Sequence, residues 1–230
     1  RSDYCSVQED CGFGIEMLDD LISNFEWWTK EHRRDNGLYW SIDDRDAMEF
    51  SISGSGFRPT LNSYLYADAA AISRLAEKAG KEETASRFAK TAEKLKESVQ
   101  NNLWNVDFFQ VIPAKIDCKE KCFIACGTMD FEEIPADRNV KELIGYIPWY
   151  FNLPDAGYEK AFYYLTREEN FLGKAGLRTA DRSHPRYAYE VPHECLWNGP
   201  AWPFATTQAL VALANLLQNY SQEYVSKKDY

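Results

Sequence analysis

The sequence predicts an all-α fold of antiparallel helical hairpins, amounting to about half of a twelve-helix toroid, with one short β-hairpin insertion. Apolar residues recur at helical spacing over most of the chain. Glycine or proline stands at the ends of these stretches, which is typical of helix boundaries. No segment rich in Pro, Gly or Ser divides the 230 residues. Residues 1–230 are therefore expected to form a single helical domain.

The first half of the chain predicts three helices. An apolar stripe over residues 15–28 marks the first helix, and Gly37 follows its end. Pro59 opens the second helix, which stops at Gly80. The stripe over residues 85–103 predicts a third, strongly amphipathic helix.

The second half of the chain is less regular. Apolar and polar residues alternate over residues 107–116, which predicts a short strand or hairpin arm. Residues 118–137 show no periodicity, and we expect an insertion there. Helices are predicted again over residues 140–150 and 158–165. A last helix over residues 204–217 is apolar almost all round, which predicts that it is buried.

Charge and composition exclude two classes of partner. The formal net charge is −10 and the pI is about 4.9, whereas nucleic acids and anionic membranes reward clustered Lys and Arg. No apolar run approaches the ~20 residues needed to span a bilayer. We therefore expect no nucleic-acid partner and no membrane partner. Aromatic residues make up 15% of the chain, which fits either a rich core or a stacking surface for a ligand.

The cysteines and histidines predict no metal site and no cofactor. The chain has six cysteines, which are Cys5, Cys11, Cys118, Cys122, Cys126 and Cys195. The spacing over residues 118–126 matches neither zinc pairs nor iron–sulfur runs, and a helical spacing or a local disulfide is favoured. Cys5 and Cys11 could be bridged in an exported protein, so we expect a secreted or periplasmic location. With three His and no His-Glu-x-x-His motif, a catalytic zinc site is not expected.

Two stretches point to chemistry on a sugar. Residues 37–49, GLYWSIDDRDAME, place acids beside aromatic residues in a loop after a helix. Residues 197–208, WNGPAWPFATTQ, form a tryptophan-rich loop that opens another helix. The apolar face of a sugar stacks on Trp or Tyr, while its hydroxyls need polar partners. These stretches predict a carbohydrate ligand.

Together with residues 58–64, RPTLNSY, and residues 145–151, GYIPWYF, these stretches resemble the six-hairpin (α/α)6 glycoside hydrolases. That group includes trehalases, processing α-glucosidases and the mannosylglycerate-hydrolase-like enzymes, and the last are the most similar. The resemblance extends from about residue 18 to residue 220. It implies a toroid, or a large part of one, and a glycosidase that acts by an inverting general acid/general base mechanism. The substrate implied is a carbohydrate.

The resemblance implies that Asp46 is the general acid, because Asp46 occupies the place of the acid in the family's Ser-Gly-x-Asp loop. Ser-Ile-Asp-Asp-Arg precedes Asp46 here instead of a Ser-Gly pair, so Asp43 and Asp44 stay open as alternatives. An inverting enzyme needs a protonated carboxyl and a second carboxylate about 6.5–9.5 Å away. The alternative interpretation of this run of charged residues is a solvated turn without a catalytic role.

The resemblance places the general base on a loop beyond the helix that follows the Trp-Asn-Gly-Pro motif. The sequence ends at Tyr230, shortly after that helix. We therefore expect the base outside residues 1–230, in a longer catalytic domain of which this chain is a fragment. Glu190 and Glu194 are the alternative bases within the chain.

Nine residues of the matching motifs and loops are predicted to bind substrate. They are Trp40, Glu49, Arg58, Asn62, Tyr64, Trp149, Arg182, Trp197 and Trp202. Asn62 suits sugar hydroxyls, and Arg58 could orient a carboxylate or bind an acidic substituent. The two tryptophans at 197 and 202 flank a rigid Gly-Pro turn and are predicted to form a sugar platform. Core packing and helix-start roles are the structural alternatives for several of the nine.

Two other functions remain open from the sequence. The same residues could form a non-catalytic carbohydrate-binding module, or an incomplete helical barrel that holds a sugar without cleaving it. A helical scaffold whose tryptophan-rich loops contact another protein is the third possibility.

Overall fold

The computed structural model describes residues 10–46, 48–113, 139–190 and 194–230, with the backbone alone at Asp44. The helices in these residues are α1 (Gly12–Glu16), α2 (Leu18–His32), α3 (Pro59–Lys78), α4 (Glu82–Leu103), α5 (Ile147–Tyr150) and α6 (Pro203–Asn219). Three 3₁₀ turns cover Asp43–Asp46, Leu143–Tyr146 and Glu159–Tyr164. The strands are β1 (Trp40–Ser41), β2 (Gly56–Phe57), β3 (Trp104–Asn105), β4 (Phe108–Phe109), β5 (Ile112–Pro113), β6 (Leu172–Gly173) and β7 (Gly176–Leu177).

Helices α3 and α4 form the central helical hairpin. Pro59 begins α3, since its fixed φ suits the first helical turn. Gly80 follows the end of α3 with φ +71°, a left-handed conformation that glycine adopts without strain. The apolar stripes of both helices are buried, and α2 packs on α3. The predicted architecture of helical hairpins with a few short strands is confirmed.

Short antiparallel strands lie at the ends of the helices. In the three-stranded sheet β1-β2-β5, Trp40 lies opposite Phe57, and Phe57 lies opposite Ile112. Strands β3 and β4 form a hairpin directly after α4, and β6 and β7 form another. The strands predicted within residues 107–116 are present as β4 and β5. The predicted insertion at residues 118–137, with its three cysteines, lies outside the described residues.

Two predicted helices are only partly regular. Residues 140–150 form a 3₁₀ turn over Leu143–Tyr146 and an α-helix over Ile147–Tyr150, and residues 158–165 form a 3₁₀ turn over Glu159–Tyr164. These segments are short and held by the burial of large aromatic side chains, so local periodicity misidentified them. Helix α6 is buried on one face only, because its other face borders an open groove where Phe204 is 49% exposed.

The core is rich in aromatic residues that contact one another edge to face. Trp149, whose side chain is fully buried, packs on Phe109 at 5.3 Å and on Phe162 at 5.0 Å between ring centroids. Cys11 is disulfide-bonded, while Cys5 lies outside the described residues. Across the described ranges, no helix combines the length and the apolar character that a membrane span requires.

Candidate active site

The acid segment, residues 43–54, connects strand β1 to strand β2 and the start of helix α3. Strand β1 precedes it and pairs with β2, which leads into α3. Asn62, one turn into α3, accepts the Tyr39 N–H at 2.8 Å and donates to the Tyr39 carbonyl at 3.0 Å. The same amide donates to the Arg58 carbonyl at 2.9 Å. Asn62 therefore ties the chain before the acid segment to the start of α3.

Asp46 forms a buried ion pair with Arg58. The Arg58 Nε donates to Asp46 Oδ2 at 2.7 Å, and Nη2 donates to Oδ1 at 3.1 Å. The Thr60 hydroxyl also donates to Asp46. The side chain of Arg58 is 0% exposed and that of Asp46 is 2% exposed. A bidentate guanidinium–carboxylate pair of this kind is a strong and directional contact.

Arg58 also holds the far end of the acid segment. Its Nη1 donates to Ser51 Oγ at 3.0 Å and to the Gly54 carbonyl. Burial alone would lower the pKa of Arg58, but the nearby carboxylates of Asp46, Asp43 and Glu142 raise it above its ordinary value. The guanidinium is therefore a charged centre around which the segment folds. Asp43 is fully buried beside it.

Glu142 is a buried acid of this cluster that the sequence analysis did not identify. It is 4% exposed, and it accepts the Ile52 N–H at 2.8 Å and the Ser53 hydroxyl. Burial raises the pKa of Glu142, although Arg58 and these hydrogen bonds act in the opposite direction. The one signal in the sequence is an acid directly before a run of apolar residues, LIGYIPW.

The Trp loop, residues 196–202, carries two stacked indole rings. Trp197 and Trp202 lie 4.9 Å apart between centroids with an interplanar angle of 9°. The Trp202 Nε1 donates to the Leu196 carbonyl at 2.8 Å, which fixes that ring. The Trp197 N–H donates to the Glu49 carbonyl at 3.0 Å. The structure thus brings the middle of the acid segment against the Trp loop.

A groove of about 1140 Å³ opens beside this loop, between α2, α3, α5 and α6. Phe204 lines it and contacts the Trp197 ring edge to face at 6.4 Å. Tyr64 also lines it, and its hydroxyl accepts the Gln208 amide N–H at 2.6 Å. Burial raises the pKa of Tyr64 above its ordinary value. Aromatic faces and amide groups line the groove together, and its volume accommodates a small sugar.

Four of the residues predicted to bind substrate lie in the interior. The side chains of Arg58, Asn62 and Trp149 are 0% exposed, and Trp40 is 4% exposed within β1. Arg58 and Asn62 direct their polar groups to partners within the chain. A substrate contact by any of the four stays a prediction. The alternatives of core packing and helix start describe their observed surroundings.

Trp197 is buried as well and is 6% exposed. The other predicted residues are accessible, and Glu49, Tyr64 and Trp202 are half-buried. Arg182 is exposed on the loop after β7. The alternative bases, Glu190 and Glu194, are exposed too.

Sequence and structure comparisons identify relatives of the whole chain. A family described as "Mannosylglycerate hydrolase MGH1-like glycoside hydrolase domain" matches residues 2–230. A solved structure named "Sialidase" is 38% identical with a TM-score of 0.84, and the match covers 96% of this chain and 19% of that chain. This chain therefore spans about a fifth of that protein's length. A comparison with curated proteins finds no match.

Proposed function

This chain belongs to the mannosylglycerate hydrolase MGH1-like glycoside hydrolase family, and we propose that it forms part of an enzyme that hydrolyses a glycosidic bond. The observation that carries this proposal is the hydrogen bond from the Trp197 N–H to the Glu49 carbonyl. It joins a carboxylate-bearing segment to a pair of stacked indole rings, one of which contacts Phe204 in the wall of the groove. In this proposal a sugar stacks on the half-buried Trp202 ring, with the Glu49 carboxyl group beside it.

Glu49 is the proposed general acid. Glu49 is half-buried, and its backbone carbonyl contacts the Trp loop directly. A carboxyl group beside an aromatic surface lies where the leaving oxygen of a stacked sugar can accept its proton. The sequence favours Asp46 for this role, and that assignment stays a prediction. Both carboxylate oxygens of Asp46 accept hydrogen bonds from Arg58, which suits a residue that positions the acid segment.

The proposed reaction is an inverting hydrolysis. The acid donates its proton to the leaving glycosidic oxygen, while a second carboxylate activates a water molecule on the opposite face of the ring. Glu142 and Asp43 are buried around Arg58, so neither is proposed as this base. We place the base on a segment that follows α6, outside residues 1–230. Tyr64 and Gln208, which are bonded to each other in the groove, are proposed to hydrogen-bond the sugar hydroxyls.

The acid is tested with glycosides that differ in the leaving group. Glu49→Gln is expected to lower kcat by about 10²–10⁴-fold on glycosides with poor leaving groups. The loss is expected to be far smaller on dinitrophenyl glycosides, because this leaving group departs without a proton. Thermal unfolding checks that the variant folds. If Glu49→Gln keeps its rate on both substrates, Glu49 is not the acid.

Asp46→Asn is the matched comparison for this experiment. A folded Asp46→Asn variant that loses activity only on poor leaving groups would restore the sequence prediction. The assays use a protein that carries these residues together with chain beyond Tyr230, and residues 1–230 alone. Activity in the longer protein only supports the proposed position of the base.

The names of the relatives suggest the first substrates to try. Mannosylglycerate, a methylumbelliferyl sialoside and a panel of nitrophenyl glycosides are the probes. If none is cleaved while a sugar quenches the tryptophan fluorescence, the non-catalytic binding module becomes the better proposal.

An exported location is also proposed. The disulfide at Cys11 supports it, because such bonds persist in oxidising compartments. Fractionation of the cells that produce the protein tests this proposal.

A further inference from the structure

The acid segment and the Trp loop are joined by a second connection, besides the direct contact between Glu49 and Trp197. The two loops are about 150 residues apart in sequence, and the second connection consists of two further segments, residues 141–143 and 178–181. These four segments form a closed ring of hydrogen bonds. The ring therefore joins the two loops along two separate routes.

Glu142 forms the junction with the acid segment. Its carboxyl oxygens accept the Ile52 N–H at 2.8 Å and the Ser53 hydroxyl. These residues precede Glu142 by 90 and 89 positions. Glu142 is 4% exposed, so water does not compete for these hydrogen bonds.

Residues 141–143 then pair with residues 179–181. Glu142 and Ala180 form an antiparallel bridge. On either side of it, Leu143 N–H donates to the Thr179 carbonyl and Asp181 N–H donates to the Lys141 carbonyl, each at 2.9 Å. This short ladder therefore fixes the backbone of Thr179 relative to that of Glu142.

Thr179 forms the junction with the Trp loop. Its hydroxyl accepts the Gly199 N–H at 3.0 Å and donates to the Pro200 carbonyl at 2.9 Å. Its own N–H donates to the same carbonyl at 3.3 Å. Thr179 is 3% exposed. One hydroxyl therefore holds both sides of the turn between the two stacked tryptophans.

We infer that Glu142 and Thr179 are positioning residues that hold the acid segment and the Trp loop at a fixed separation. The catalytic meaning of this inference rests on the proposed function, in which one loop carries the acid and the other carries the sugar platform. An error of about 1 Å between reacting groups can cost about 100-fold in rate. A closed ring restrains that distance better than the single bond between Trp197 and Glu49.

The sharpest test replaces one hydroxyl. Thr179→Val keeps the branched shape of the side chain and removes the two hydrogen bonds that the hydroxyl makes to the Trp loop, while the backbone N–H bond to the Pro200 carbonyl stays. Thr91→Val is the control, since the Thr91 hydroxyl bonds the Arg87 carbonyl at 2.9 Å within α4 and Thr91 does not line the groove. In the full protein, Thr179→Val is expected to lower kcat by about 10- to 100-fold with a smaller change in KM. The control is expected to keep both constants.

Residue-resolved hydrogen exchange tests the connection without any substrate. In Thr179→Val, exchange at the amides of Trp197 and of Ile52 is expected to accelerate by about tenfold or more. The Ile52 amide is the decisive one, because it donates to Glu142 at the far end of the ladder, away from the hydroxyl that the substitution removes. Thr91→Val is expected to change neither amide.

Glu142 is tested by a conservative and a disruptive change. Glu142→Gln keeps an acceptor for the Ile52 N–H and is expected to retain most of kcat. Glu142→Ala is expected to lower kcat to the level of Thr179→Val and to accelerate exchange at Trp197 as well as at Ile52. Equal losses in the Gln and Ala variants would overturn the positioning role of the hydrogen bonds.

The outcomes separate this inference from the proposed function. Unchanged exchange at Ile52 in Thr179→Val overturns the inference, whether or not the protein cleaves a glycoside. Accelerated exchange with an unchanged kcat also overturns it. If the wild-type protein cleaves no glycoside, the proposed function has failed, and the ring is then judged by the two exchange rates alone.

Discussion

At the scale of the residue, the partner of a carboxylate decides what that carboxylate can do. Asp46 lies three residues before Glu49, but its oxygens are bound by a buried guanidinium, whereas Glu49 is half-buried at the Trp loop. The sequence shows a cluster of acids and does not show which acid faces Arg58. Asp46 and Arg58 are 12 residues apart, and the turn at Asp46 and the start of α3 bring their side chains together.

Breaking the pair between Asp46 and Arg58 is expected to destabilise the fold. Asp46→Asn removes the carboxylate that pairs directly with a buried guanidinium, which costs about 3–5 kcal/mol in the free energy of unfolding. Denaturation by urea measures this cost. Asp19→Asn removes an exposed pair with Lys81, whose atoms are 2.9 Å apart, and is expected to cost less than about 1 kcal/mol. Equal effects of the two variants would contradict a structural role for the buried pair.

The pKa of Glu142 makes stability depend on pH in a stated direction. Burial raises this pKa above its ordinary value of 4.5, so the folded protein binds the proton more tightly than the unfolded chain. Stability from this group is therefore present at low pH and is lost as pH rises through the raised pKa.

Glu142→Gln is expected to remove this dependence. The unfolding free energy of the variant, relative to wild type, should increase as pH rises through the raised pKa of Glu142, because the amide never ionises. Arg58 acts against the effect of burial, so the increase is expected to be smaller than for an isolated buried carboxyl. Urea unfolding at several pH values measures the difference, and a constant difference would contradict the prediction.

At the scale of the element, the 3₁₀ turn Leu143–Tyr146 shows why local periodicity failed in the second half of the chain. Gly145 brings this turn into contact with strand β4, and a Cβ at this position would overlap the Phe108 ring and the Phe109 carbonyl. The turn is therefore held by packing against a hairpin. Helices α2, α3 and α4 were predicted well because each is long and buries a single periodic stripe.

Gly145→Ala tests this packing. The added methyl group has no space against the β4 backbone, and the variant is expected to lose about 1–3 kcal/mol of stability or more. Gly12→Ala is the control, since a Cβ there meets only the side chain of Asp10. Thermal unfolding of both variants checks the prediction. A stable Gly145→Ala variant would mean that the turn can move away from β4.

At the scale of the whole molecule, four short stretches in order identified a six-hairpin glycoside hydrolase, and the family match over residues 2–230 confirms it. The helical hairpins and the similarity to a known structure at a TM-score of 0.84 confirm the fold class. These predictions succeeded because helix periodicity, helix boundaries and motif order are local properties of the chain.

The amino-acid sequence alone determined the long helices, their boundaries, and the presence of an acid segment and a Trp loop. The tertiary structure decided which side chains meet: it paired Asp46 with Arg58, brought Glu142 beneath the acid segment, and buried Asn62 and Trp149. The physical reason is that burial and hydrogen bonding between segments 12 to 150 residues apart depend on how the whole chain packs. No periodicity within one segment records that packing.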